Sequence, residues 1–86
     1  MNIDWTAQGL RDIAYWGAVN PKIITKINSL LSNIERTPFS GLGKPEALKG
    51  NLSGWWSRRI NDEHGLVYRV EGQSIIVLQC RFHYAK

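Results

Sequence analysis

The residues best able to do chemistry in this 86-residue chain lie at its carboxyl end and in one glycine-rich stretch. The end reads "LQCRFHYAK", an apolar, strand-like run that finishes in Arg81, His83 and Tyr84. A histidine beside arginines at a strand end can donate or accept a proton next to an anion, because imidazole titrates close to neutrality. The matching carboxylate is best supplied by Glu46, set between Lys44 and Lys49 in "SGLGKPEALKG", whereas Asp62 and Glu63 read as solvated turn residues. A base, an acid and cations suit RNA cleavage. The base takes the proton of a 2′-OH, that oxygen attacks the adjacent phosphorus, the acid protonates the departing 5′-oxygen, and cations hold the charge on the phosphoryl oxygens. Neither a metal nor a cofactor is called for. Each residue also has a plainer reading: His83 as a surface group, Phe82 and Tyr84 as packing residues, Glu46 as a loop charge, and Trp55-Trp56 as core filler rather than a base-stacking platform.

Position decides between these readings, and position is set by the elements. In "NPKIITKINSLLSNIERTP", Asn20 suits an N-cap and Pro21 the first helical position. Ile23, Ile24, Ile27, Leu30, Leu31 and Ile34 then recur at three- and four-residue steps until Thr37-Pro38. A preceding helix from Thr6 to Val19 is expected through Leu10, Ile13, Ala14 and Gly17, with Thr6 as cap and Gly9 as a weak point. Residues 38–54 read as a long ordered loop with a helical turn around Glu46 to Lys49. Residues 55–60, 66–70 and 74–84 read as three strands, and Met1 to Trp5 can add a fourth.

Taking Glu71-Gly72-Gln73 as a three-residue hairpin loop pairs Val70 with Ser74, Tyr68 with Ile76 and Leu66 with Leu78. One face then carries Leu66, Tyr68, Val70, Ile76, Leu78, Cys80 and Phe82 toward the helices. The other carries Gly65, Val67, Arg69, Ile75, Val77, Gln79, Arg81 and His83. Pairing Ile60 with Leu66 adds Arg59 to that second face, so the cationic and titratable groups are expected opposite the helices.

Length and composition narrow the setting. A chain of 86 residues is a single small domain, and one cysteine, Cys80, excludes an internal disulfide; no His/Cys cluster has zinc-ligand spacing. A reducing cytoplasm is the expected compartment, with no leader-like or membrane-spanning stretch. The formal charge of +4 divides as +1 over residues 1–40 and +3 over residues 41–86, an excess that suits an anionic partner or serves solubility alone.

Read together, "RTPF", "GKPE", "LK", "NLSG", "WSRRI", "EH", "LVY" and "CR-HY", with "WT", "YW" and "KIN" nearer the start, resemble the YoeB toxins of the RelE-like superfamily of bacterial type II toxin–antitoxin systems, almost end to end. The resemblance implies an α+β fold, a twisted antiparallel sheet with two N-terminal helices on one face. It implies a metal-independent, ribosome-dependent endoribonuclease that cuts mRNA in the A site of the 70S ribosome, leaving a 2′,3′-cyclic phosphate and a 5′-OH. It further implies silencing by a YefM-like antitoxin, and pairing into homodimers. Glu46 matches the family's general base and His83 its general acid; Lys49, Arg59 and Tyr84 match RNA- or phosphate-contacting positions, and Arg81 joins them on the parity argument.

One position departs. The family pattern Glu-His-Arg-Leu-Val-Tyr is here Glu63-His64-Gly65-Leu66-Val67-Tyr68, so the arginine assigned to the scissile phosphate is missing. Three explanations stand: a weakened toxin; cover by Arg59, Arg69 or Arg81; or a substitution introduced or selected because an active toxin kills its host. The departure gives weight to a rival reading, a module that occupies the ribosome or its antitoxin without cutting RNA, and to a weaker one, a structural partner that titrates antitoxin in a repressor complex.

Overall fold

The computed structural model describes residues 1–83. The elements run β1 (Asn2–Trp5), α1 (Ala7–Val19), α2 (Pro21–Arg36), β2 (Glu46–Ala47), a 3-10 turn (Gly50–Leu52), β3 (Trp56–Arg59), β4 (Gly65–Glu71) and β5 (Ser74–Gln79). The strands form one sheet in the order β1-β5-β4-β3-β2. Its β2 to β5 portion is antiparallel, but β1 pairs with β5 in parallel, so the sheet is mixed rather than wholly antiparallel. The two helices between β1 and the rest of the sheet carry the chain back, as a parallel pair requires.

α2 forms as its spacing predicts. Pro21 sits in the first turn, Ile27, Leu30, Leu31 and Ile34 are buried, and the Thr37 N–H closes the last turn on the Asn33 carbonyl. Asn20 contributes backbone rather than side chain: its N–H ends α1 on Trp16 O and its carbonyl accepts from Ile23 N.

α1 is capped by Thr6, whose hydroxyl oxygen accepts from Gly9 N, but it buries a different face from the expected one. Of the expected inward residues only Ile13 packs against the core, while Leu10 is 54% exposed, Ala14 and Gly17 face solvent, and Gly9, Asp12 and Trp16 point inward. Gly9 is the reason. A Cβ there would come 2.9 Å from the Val77 carbonyl and 3.3 Å from the Trp5 ring, so the helix lies against β5 at the one residue that permits it.

The β4–β5 hairpin corrects the expected register. Glu71 pairs with Ser74 across a two-residue turn, with Gly72 at φ +57° in the first central position that a tight hairpin reserves for glycine. Ile75 and Val77 therefore face the core, not Ile76 and Leu78. Between Val77, which pairs with Tyr68, and Gln79, which pairs with Val67, Leu78 is an extra residue, a β-bulge. Its carbonyl accepts from the Thr6 hydroxyl at 2.7 Å. The bulge shifts parity by one, so Cys80 returns to the core and Gln79 to the outer face, as expected despite the slipped turn.

β3 pairs Arg58 with Leu66 and Arg59 with Gly65 rather than Ile60 with Leu66. That shift is two residues, so parity survives: Ile60 and Arg58 face the helices and Arg59 is exposed. The expected helical turn at Glu46 to Lys49 is instead the short strand β2, with the helical turn displaced to Gly50–Leu52. The core joins Trp16, Ile27, Leu30, Leu31 and Ile34 to Ile60, Leu66, Tyr68, Ile75, Val77 and Cys80. Among the described residues no helix is long and apolar enough to cross a membrane.

Candidate active site

The outer face of the sheet is assembled by register. Glu46 pairs with Ser57, Ser57 with Val67 and Val67 with Gln79, one row across four strands. One side-chain step along, Arg59 lies directly opposite Gly65. At a strand spacing of about 4.8 Å and about 3.4 Å per residue, the Cα atoms of Glu46 and Gly65 are about 12 Å apart, a span wide enough to seat one phosphodiester between the Glu46 side chain and the Gly65 backbone. Glu46, Lys49 and Arg59 are exposed, whereas Ser57, Gly65 and Val67 between them are buried. The face is thus a closed floor with charged residues at its rim.

Glu46 is held at the end of a loop that a buried cation organises. Arg58 has no exposed surface. Its guanidinium donates to the carbonyls of Thr37, Ser40 and Leu42 at 2.6, 2.9 and 3.0 Å, to Tyr68 Oη at 3.2 Å and to Asn33 Oδ1. Tyr68 Oη in turn donates a hydrogen bond to Pro38 O at 2.6 Å. Burial pushes the Tyr68 phenol up, with Arg58 partly countering, so it remains a donor. β3 closes the loop by donating from Arg59 N to Gly43 O at 2.6 Å. Three loop carbonyls, α2 and the sheet thus meet on one side chain.

The other catalytic candidate is placed by the segment after β5. Asp12, 2% exposed, accepts from Cys80 N at 3.0 Å, and Trp16 Nε1 donates to Cys80 O at 2.8 Å. These bonds lift the chain out of the sheet at Cys80. Burial, with the Asp12 carboxylate nearby, pushes the Cys80 thiol up to about 12, which makes it inert. Phe82 then turns left-handed (φ +64°) and is 56% exposed, not directed into the core. Its N–H donates to His64 Nδ1 at 2.7 Å and its carbonyl accepts from Gly65 N at 3.1 Å. His83 is exposed, with Nε2 donating to the Asp62 carbonyl at 2.7 Å, so that nitrogen carries a proton.

The candidates therefore separate. Glu46, Arg59 and position 65 share the outer face, with Lys49 just beyond Glu46 and the backbone leading to His83 bonded to Gly65. Arg81 does not join them: its guanidinium lies 3.4 Å from the Tyr15 ring centre on α1 and 4.4 Å from that of Phe82. Arg69 is stacked on Trp55 and ion-paired with Glu71. Of the three arginines offered as cover for position 65, only Arg59 is exposed beside it. Tyr84 lies outside the described residues. Among these, no cluster of His, Cys, Asp and Glu could hold a metal ion. Sequence reasoning missed Asp12, Trp16 and His64; an aspartate four residues before a tryptophan inside an apolar helix was the available signal.

A family model described as YoeB-like toxin of bacterial type II toxin-antitoxin system matches residues 5–84. The Toxin YoeB of Escherichia coli K12 is 49% identical over 84 residues, 98% of this chain and all of that protein. A YoeB/ParE toxin structure from Agrobacterium tumefaciens superposes with a TM-score of 0.94 at 51% identity, over 98% of this chain and all of that one. Two Staphylococcus aureus structures, a heterotetrameric YoeB-YefM complex and a YoeB dimer, superpose with TM-scores of 0.91 and 0.92, each at 45% identity over 98% of both chains.

Proposed function

The chain belongs to the YoeB-like toxins of bacterial type II toxin–antitoxin systems, and from that premise we propose that it is a ribosome-dependent endoribonuclease acting on mRNA in the A site. Glu46 takes the proton of the 2′-OH; O2′ attacks the adjacent phosphorus; the P–O5′ bond breaks, and His83 gives its Nε2 proton to the leaving oxygen. The products are a 2′,3′-cyclic phosphate and a 5′-OH. Lys49 and Arg59 neutralise the phosphoryl oxygens as charge gathers on them. Tyr84 belongs with them by its family position, whereas Arg81 is occupied by Tyr15 and serves the fold of the tail.

The observation that carries this reading is the shared outer face of Glu46, Arg59 and position 65, with the backbone before His83 bonded to Gly65 itself. In this reading the ribosome holds the message in line with the two catalytic groups, so activity on free RNA should be feeble. Since the S. aureus relatives are a YoeB-YefM complex and a YoeB dimer, we extend to this chain a YefM-like antitoxin as partner and self-association as a pair, in the cytoplasm where ribosomes work. Primer extension on an mRNA programmed into purified ribosomes tests the proposal. Cuts ending in cyclic phosphate, absent with Glu46→Gln, are expected. A stalled ribosome with an intact message would instead favour the second reading, a binding module, for which Gly65 is the supporting observation.

A further inference from the structure

We propose that His64 is a positioning residue for His83, acting as a neutral imidazole whose Nδ1 lone pair latches the bend at Phe82. The inference rests on the catalytic role given to His83 above and adds what holds that residue in place.

A non-glycine residue at φ +64° persists only where its surroundings over-determine it. The Phe82 side chain is more than half exposed, touched by the Arg81 guanidinium and the His64 ring but not buried in the core. Its two backbone polar groups are both taken by consecutive residues where the β3–β4 turn enters β4, the N–H by His64 Nδ1 and the carbonyl by Gly65 N. The His64 ring is fixed in turn. Trp16 meets it edge to face, centroids 4.7 Å apart at 86°, and the Phe82 ring lies 5.9 Å away on a tilted approach. The same Trp16 donates to Cys80 O, so one indole fixes both the start of the tail and the ring that catches it further on. His64 O accepts from Ile60 N and Asn61 N, and Asn61 Oδ1 accepts from His64 N, which pins the turn carrying the imidazole.

Accepting from a backbone N–H obliges Nδ1 to be unprotonated and places the imidazole proton on Nε2. On the elements that meet this ring, Asp12 lies one helical turn before Trp16 on α1, Asp62 and Glu63 precede His64 in its own turn, and Arg81 and His83 flank Phe82 on the tail. Doubly protonated, the ring would present a donor to the Phe82 N–H, and the latch would open one residue before the catalytic imidazole. A hydrophobic or merely space-filling role for His64 would impose no such demand on Nδ1.

The test uses the whole chain with purified ribosomes. An asparagine at 64 can place its Oδ1 near the position of Nδ1; alanine has no acceptor and glutamine carries its own too far out. His64→Ala and His64→Gln are expected to lower kcat on the order of tenfold to a hundredfold with KM nearly unchanged, the scale of a misplaced catalytic group. His64→Asn should stay within about threefold of wild type by the same argument. In parallel, amide hydrogen exchange read by NMR should show Phe82 N–H protected in wild type and His64→Asn and released in His64→Ala. Equal Phe82 exchange in all three proteins overturns the latch. Released exchange with unchanged kcat overturns the positioning role, and equal loss in the asparagine and alanine variants shows that the ring, not the acceptor, matters. A wild-type chain that cuts no message refutes the nuclease reading, while the exchange data still decide the latch.

Discussion

Restoring a side chain at position 65 is the most direct probe of the site. Gly65 needs no glycine: its backbone does not enter the left-handed region, and a Cβ there would meet Ser57 Oγ at 3.1 Å and Arg58 O at 3.5 Å, a contact that a rotation of the serine hydroxyl relieves. Gly65→Arg would stand directly across from Arg59. Replacing a strand glycine gains about 0.5–1 kcal/mol, and setting like charges opposite each other on neighbouring strands costs about 0.2–1 kcal/mol. Stability should therefore move by less than about 1 kcal/mol in either direction, a few degrees of Tm for a domain of this size. Activity should move much further. A second guanidinium on a phosphate whose charge grows in the transition state acts as an oxyanion donor does, worth on the order of 10² to 10³ in rate, and a tenfold rise is the least that the geometry predicts. Single-turnover cleavage on programmed ribosomes, alongside ribosome affinity, separates the possibilities. The expected result is a faster chemical step with affinity nearly constant, and no gain for Gly65→Gln. An unchanged rate would mean that Arg59 alone already neutralises the phosphate, and a gain confined to affinity would assign position 65 to binding rather than chemistry.

Other outcomes follow from the same geometry. His83→Gln should abolish cleavage on programmed ribosomes while ribosome binding persists; retained cleavage would remove the imidazole from the mechanism. Arg58→Met should lower unfolding stability by at least about 3 kcal/mol, measured by the urea midpoint, because three part-buried loop carbonyls, Asn33 and Tyr68 all lose a charged donor; a loss below about 1 kcal/mol would mean that water readily replaces the guanidinium. The Cys80 thiol predicts an alkaline limit. The native thiol keeps its proton up to about 12 whereas the unfolded one loses it near 9.0, so in that window unfolding releases a proton. Stability should then fall by about 1.4 kcal/mol per pH unit, with Tyr68 adding in the same direction, and be fully present below pH 9. Urea curves between pH 8 and about 11 should converge on those of Cys80→Ala as the pH rises; parallel curves would refute the assignment.

The sequence disclosed most where burial followed a simple period. α2, three of the strands and the inward parity of Leu66, Tyr68 and Ile60 were legible because each buries apolar residues at regular steps. α1 was misread because its inward face consists of Gly9, Asp12 and Trp16, chosen for close approach and for hydrogen bonds to Cys80 rather than for hydrophobicity. The hairpin was misread by one residue because Gly72 allows the tighter turn. Yet Gln79 and Cys80 fell on their expected faces, since the bulge at Leu78 undoes the slip, and no propensity announces a bulge. Within the candidate site, Arg59 was legible through strand parity and Glu46 only as a carboxylate between two lysines, its strand β2 having been expected as a helical turn, whereas the departures of Arg81 and Phe82 were not legible. Those depend on where an aspartate and an indole from α1 take hold of the chain, and contacts 64 and 68 residues apart leave no local pattern.

The two proposed catalytic groups come from the least regular parts of the fold, one after a glycine-rich loop and one after the last strand. Neither segment has a helix or a long ladder to fix it, and a displacement of about 1 Å in either would cost orders of magnitude in rate. The structure meets this with buried polar anchors instead of apolar packing. Arg58 gathers the carbonyls of the loop before Glu46, and Asp12 and Trp16 occupy the N–H and carbonyl of Cys80 before His83. Such anchors are directional, so they define position more narrowly than hydrophobic contacts of equal strength, and leaving one half-satisfied is costly. This accounts for two features that stability alone would disfavour: a fully buried guanidinium with no carboxylate among its hydrogen-bond acceptors, and a buried carboxylate that spends one oxygen on a backbone N–H. Both stand just before a segment that carries a proposed catalytic side chain, Glu46 after the loop and His83 after Cys80.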